Sequence, residues 1–178
     1  MNYIEIIKRE IDKANLWQKS ISLSRGEYLK VEGSTDTNLY YIENGSLRIF
    51  RENDFEEQTI RLGYKNNFIA ALDSYISEKP SELYIQAIKK SELKVVPKPA
   101  FQKWLESDPT HIELWLKITT QLIYEQLERE KDILTNSPYE RYQRVLKRSP
   151  HLFQEVPNKY IASYLRMTPE TLSRIKKS

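Results

Sequence analysis

At Pro97 the hydrophobic rhythm of this chain changes, and no other feature constrains its fold as tightly. Before that point, from about Ile21 to Val96, apolar residues alternate with polar ones or gather in short runs. In "LYYIENGSLRIFR", Leu39 to Ile42 form a β-rich run and Glu43-Asn44-Gly45 supply a turn. Leu47 and Ile49 then alternate with Ser46, Arg48 and Phe50. "QTIRLG", "ELYIQAI" and "ELKVVP" read as further short strands, and Gly26, Gly33, Gly45 and Gly63 sit between the candidates. Many short strands punctuated by turns predict a sandwich or barrel.

After Pro97 the period becomes 3.6. Pro99 opens a helix containing Phe101, Trp104 and Leu105. Asp108-Pro109, an N-cap followed by a first-turn proline, opens a longer one that runs to about Leu134. Ile112, Trp115, Leu116, Leu122, Ile123 and Leu127 recur along it at steps of three, four or their sums. A helix this apolar needs a partner, and periodicity supports packing on its own barrel and pairing with a second copy equally. At the other end of the chain, Tyr3, Ile4, Ile7 and Ile11 predict a short packing helix. Glu5, Lys8, Arg9 and Glu10 interrupt any apolar core that a signal peptide would need, and no run approaches the roughly 18 residues of a membrane span. The expected compartment is the cytoplasm.

Ser137-Pro138-Tyr139-Glu140 reads as a capping box and places a boundary near Asn136, where the charge also turns positive. Nine basic and three acidic residues lie between 137 and 178, while the chain as a whole carries only +3. A mildly acidic body with a basic tail is what binding to a phosphate backbone requires. The chain contains no Cys, which excludes disulfides, iron–sulfur clusters and thiolate zinc sites. Its two His, His111 and His151, stand apart, and the strand region contains none. That argues against a His-built metal site and against cupin-like catalysis. With neither a Ser/His/Asp arrangement nor a phosphate-cradling Gly loop, no enzyme is expected.

Asn158 to Lys177 forms a 20-residue unit with helix-turn-helix spacing. Ile161, Leu165, Met167, Leu172 and Ile175 are its apolar positions, and the small Ala162 fits where two helices cross. Thr168 can cap the second helix, Pro169 suits its first position, and Glu170 suits the positive end of its dipole. Pro169, Glu170, Ser173, Arg174 and Lys177 would then face outward. Arg can grip a guanine edge, Glu can accept from cytosine, and Lys can sit on phosphates. At the turn stands Arg166, where such motifs usually carry Gly. Either the turn is adapted or a left-handed Arg costs about 1 kcal/mol.

Taken with these motifs, the whole chain resembles the Crp/Fnr family of bacterial transcription regulators. "GEYLKVEGSTDTNLYYIENGSLRIFR" is similar to the family's cyclic-nucleotide-binding-type β-roll, and "TPETLSRIKK" to its recognition helix. The resemblance implies an α+β fold. Residues 1–107 would form a double-stranded, jelly-roll-like β-roll sensor and 108–136 a dimerisation helix. Residues 137–178 would form a helix-turn-helix domain lacking a full wing, because Arg144 to Val156 is too short for one. It also implies duplex DNA, a second copy of the chain and RNA polymerase as partners, and no membrane. The DNA-binding residues would be Lys159, Thr168, Pro169, Glu170, Thr171, Ser173, Arg174, Lys176 and Lys177. The dimer helix would use Ile112, Trp115, Leu116, Thr119, Leu122, Ile123, Gln126 and Leu127.

The ligand pocket implied by the resemblance comprises Phe68, Ala70, Ala71, Leu72, Tyr75, Ser81, Glu82, Leu83 and Tyr84. The family's cyclic-AMP binders place a Gly-Glu pair on the ribose side and an Arg-Ser or Arg-Thr pair on the phosphate. Here Ala70-Ala71 and Ser81-Glu82 stand at those places. No cofactor is expected, and cyclic AMP is not expected to be the effector. Pro169 also replaces an Arg that many relatives set on a base, so their sequence preference does not carry over. The competing reading is a sensor or interaction module that has lost sequence-specific DNA binding.

Overall fold

The computed structural model describes residues 2–53 and 56–177. Helix α1 (Tyr3–Lys13) is started by Asn2, whose side-chain oxygen accepts from the backbone N–H groups of Ile4 and Glu5. Its Ile7 and Ile11 are fully buried. Among the described residues eight strands follow: β1 (Lys19–Leu23), β2 (Tyr28–Lys30), β3 (Asn38–Asn44), β4 (Ser46–Glu52), β5 (Glu57–Tyr64), β6 (Phe68–Ile69), β7 (Tyr84–Ala87) and β8 (Ser91–Pro97). A short helix α2 (Leu72–Ser77) separates β6 from β7.

The strands make two four-stranded sheets, ordered β1-β8-β3-β6 and β2-β7-β4-β5, with every pairing antiparallel. Consecutive strands β3 and β4 belong to different sheets, so the chain rolls from one layer to the other at Gly45. That residue has φ +89°, and a Cβ there would lie 2.6 Å from the Ser91 Cα. Only Gly fits so close an approach. The sheets enclose Ile42, Leu47, Ile85 and Leu93, all fully buried. Each such side chain stabilises the fold by roughly 1.5–3 kcal/mol relative to exposure.

Beyond β8 the described residues are helical: α3 (Lys98–Glu106), α4 (Pro109–Leu134), α5 (Pro138–Arg148), α6 (Leu152–Glu155), α7 (Asn158–Tyr164) and α8 (Pro169–Ile175). No strand occurs among the described residues of 137–177. The caps expected from sequence are formed. Asp108 accepts from the N–H of Thr110, Ser137 from that of Glu140, and Thr168 from that of Thr171. His111 is a structural residue, its ring stacked on Trp104 at 3.9 Å.

Helix α4 has two working faces where the sequence suggested one stripe. Trp115, Leu122 and Gln126 turn toward the chain's own β-roll and line a cavity against it. Trp115 also meets Phe101 edge-on at 4.9 Å. Ile112, Leu116, Ile123 and Leu127 point elsewhere, with Leu116 63% and Ile123 62% exposed. At 100° per residue the two sets lie about a quarter of a turn apart. Periodicity merged them because steps of three and four describe any wide apolar arc.

Candidate nucleic-acid interface and sensor cassette

Helices α7 and α8 cross over the fully buried Ile161, Ala162, Leu165 and Leu172. The turn between them is a Schellman closure. The Met167 N–H donates to the Ala162 carbonyl at 3.0 Å and the Arg166 N–H to that of Ser163 at 3.1 Å. Arg166 carries the left-handed conformation itself, with φ 55°, so the turn keeps the geometry that Gly usually supplies. A neighbour supports it: Arg141 donates to the Arg166 carbonyl at 3.1 Å.

The outer side of α8 is open. Pro169, Glu170, Ser173, Arg174 and Lys177 are all exposed and together line a shallow dish. Lys159, Thr168 and Lys176 are exposed around it, and Thr171 is half-buried beneath. The Glu170 carboxyl is held below the usual range by its own backbone N–H and by the Thr168 hydroxyl, so an acceptor stands beside the cations. Lys176 donates to the Asn158 side chain at 3.0 Å, tying the end of α8 to the start of α7.

This unit is fastened to the rest of the chain in two places. On α4, Asp132 is fully buried and accepts from Arg144 Nε at 2.8 Å and from the Arg148 guanidinium, both on α5. On the β-roll, α7 packs against β5. Ser163 Oγ lies 3.0 Å from Thr59 Oγ1 and accepts from the Thr59 N–H at 3.2 Å. Arg48, only 5% exposed, places its guanidinium 3.9 Å from the Phe50 ring and 4.9 Å from that of Tyr160. Gln86 and Glu57 satisfy its N–H groups at 2.7 Å and 2.6 Å. These fastening residues carry no sequence signal, since a buried Arg or Asp reads the same as a solvated one.

The cassette around α2 is closed on itself. Asp73 accepts from Ser81 Oγ with both carboxylate oxygens, at 2.9 and 2.8 Å, and from the Glu82 N–H at 3.0 Å. Ser81 Oγ accepts in turn from the Leu83 N–H at 3.0 Å. Ser81 and Glu82 are the residues placed by sequence at the phosphate contact, and Asp73 supplies an anion to that very stretch. Glu82 itself is exposed. Ala70 and Ala71 are buried, at 4% and 0% exposure.

The nine residues assigned to a pocket from sequence are thus divided. Phe68, Ala70 and Leu72 line the cavity against α4, while Ala71, Tyr75, Ser81, Glu82, Leu83 and Tyr84 do not. Tyr84 instead stacks on Phe50 at 5.1 Å on the other sheet, and Tyr75 lies under Lys98 at 5.2 Å. Leu83 packs on the core between the sheets.

Comparison with known proteins agrees with this architecture. The family described as "Cyclic nucleotide-binding domain" matches residues 20–108. No curated protein matches the chain. Among solved structures, a CooA mutant from Carboxydothermus hydrogenoformans superimposes with a TM-score of 0.73 at 16% identity, covering 99% of this chain and 83% of that one. FixK2 from Bradyrhizobium japonicum gives 0.69 at 18% identity, covering 89% and 82%. The catabolite activator protein of Thermus thermophilus gives 0.56 at 17%, covering 95% and 81%. No helix among the described residues is long and apolar enough to cross a membrane.

Proposed function

The chain belongs to the cyclic nucleotide-binding domain family and has the fold of the Crp/Fnr transcription regulators, and from that premise we propose that it acts as a homodimeric, DNA-binding regulator of transcription. In this reading residues 1–107 sense, 108–136 pair with a second copy, and 137–178 bind DNA. The protein is not an enzyme and works in the cytoplasm, where bacterial DNA lies.

One observation carries the proposal. The α8 surface of Pro169, Glu170, Ser173, Arg174 and Lys177 is exposed, while Leu172 on its opposite side is fully buried. A helix packed from behind and charged in front is built to be inserted into a groove. Two such helices in a symmetric dimer would enter successive major grooves about 34 Å apart. Arg174 is assigned to a base edge, Lys177 to phosphate.

Selection of bound sequences from random duplex DNA at two salt concentrations tests this. A preferred motif is expected, with affinity that falls steeply as salt rises. Arg174→Ala should cost about 1–3 kcal/mol, or roughly 5- to 150-fold, on the preferred motif and relax its sequence. Lys177→Ala should weaken all sequences alike and lower the salt slope by about one. Binding without any sequence preference, or an Arg174→Ala profile identical to the parent's, would favour the reading in which DNA recognition has been lost.

The effector is not cyclic AMP. The cassette offers Asp73, already bonded to Ser81 and Glu82, where a nucleotide phosphate would need a cation. A phosphate at that stretch would meet a like charge, which disfavours its binding. Calorimetric titration with cyclic AMP is expected to give no saturable heat up to millimolar ligand, and a micromolar dissociation constant would refute this assignment.

A further inference from the structure

Between the β-roll and α4 lies a cavity of about 250 Å³. Most of its wall is apolar, made by Leu39, Phe68, Leu72, Trp115, Ile118 and Leu122. Arg61, Arg129 and Tyr164 also line it. Arg129 is only 6% exposed, and its Nε and Nη1 are buried without a hydrogen-bond acceptor. Its guanidinium carbon lies 3.9 Å from the centre of the Tyr164 ring, a contact that gives neither of those N–H groups an acceptor.

The nearby acids are committed elsewhere. Asp132 accepts from Arg144 and Arg148, and Glu125 stands 3.8 Å from Arg61. Burial pushes the Arg129 guanidinium below its ordinary pKa, as it does that of Arg61, yet a guanidinium stays charged in proteins. A buried cation with unanswered N–H groups is costly, and native structures rarely keep one without a reason.

We propose that this cavity binds a small carboxylate with an apolar body, Arg129 gripping the carboxylate and the wall of Leu72, Trp115 and Leu122 holding the rest. The planar fork of Arg matches two carboxylate oxygens. One unanswered cation suits a monoanion, whereas a doubly charged phosphate would bury a surplus charge. A cavity of roughly 150 Å³ holds benzene, so this one admits a ring or a chain of several carbons together with its carboxylate. The site is separate from the Asp73 cassette, since neither Ser81 nor Glu82 lines it. It goes beyond the DNA-binding reading, and its test uses no DNA, so the two stand or fall separately.

The test is calorimetric titration of the whole chain with sodium octanoate and sodium phenylacetate, with octan-1-ol and octylammonium chloride as neutral and cationic counterparts. At least one carboxylate is expected to bind tenfold or more tightly than octanol, and octylammonium not at all. Arg129→Met should bring the carboxylate down to the level of octanol and leave octanol within about twofold. The variant should also melt at higher temperature than the parent, because it removes a buried ion that the chain does not satisfy. If that variant does not fold, Leu122→Trp, which fills the cavity, should weaken carboxylate binding at least tenfold. Carboxylates that bind no better than octanol would overturn the proposal. So would carboxylate affinity unchanged in a folded Arg129→Met, or in Leu122→Trp.

Discussion

Leu116→Glu combined with Ile123→Glu is expected to convert a dimer into a folded monomer and to lower affinity for duplex DNA by about 10²- to 10⁴-fold, the gain that linking two binding modules brings. The two residues lie seven apart on α4 and are more than half exposed. Ile112, Leu127 and Leu134 extend the same exposed apolar arc. From Ile112 to Leu134 it runs for about 33 Å at 1.5 Å per residue, the length of a substantial coiled seam. An exposed apolar arc of that length fits the pairing proposed above. Glutamates facing their symmetry mates across the seam would bury four like charges, while in the separated chain they would meet only water. Light scattering should report the parent as a dimer and the variant as a monomer, with unchanged circular dichroism. A monomeric parent, or a variant that still pairs, would dismiss the seam.

Asp132→Ala should cost about 3–5 kcal/mol of stability, the usual penalty for removing one partner of a buried ion pair. The carboxylate is fully buried and answers Arg144 and Arg148 together. Glu128 can keep part of Arg144, at 3.2 Å, but lies 3.9 Å from Arg148. Arg129 adds a third positive charge nearby. For a chain of this size the loss corresponds to a fall in melting temperature on the order of 10 °C. Asp132→Asn keeps the shape and one acceptor, so it should fall between. The exposed neighbour Glu130 is the control, and Glu130→Ala should change stability by no more than about 0.5 kcal/mol. Should Asp132→Ala melt with Glu130→Ala, the cluster contributes nothing and α5 is held by its apolar contacts alone.

The parts of the fold that could be read from sequence are those written in backbone chemistry. The turn at Asn44-Gly45, the caps at Asp108, Ser137 and Thr168, and the change of period after Pro97 all appear where the residues placed them. Arg166 is informative because it breaks the rule: the turn demanded a positive φ, and the chain adopts it without Gly. What could not be read is how the elements meet. Trp115 and Leu116 are adjacent in sequence, yet one faces the β-roll and the other solvent. Arg48, Arg129 and Asp132 look like surface charges in any alphabet of hydropathy, but all three are buried. Arg48 meets Gln86 and Asp132 meets Arg144, 38 and 12 residues away, and Asp73 reaches Ser81 where α2 folds back on the loop that follows it.

The packing of α7 on β5 also bears on whether the tail can exist by itself. The apolar cluster beneath α7 and α8 includes Ile88, with Leu62 and Tyr64 packed against it, and all three belong to the β-roll side of the chain. A fragment cut at residue 137 would keep about 40 residues, close to the lower limit for unaided folding, and would forfeit that share of its interior. Helix α8 therefore has no autonomy: excised, it would lose the foundation on which its shape rests.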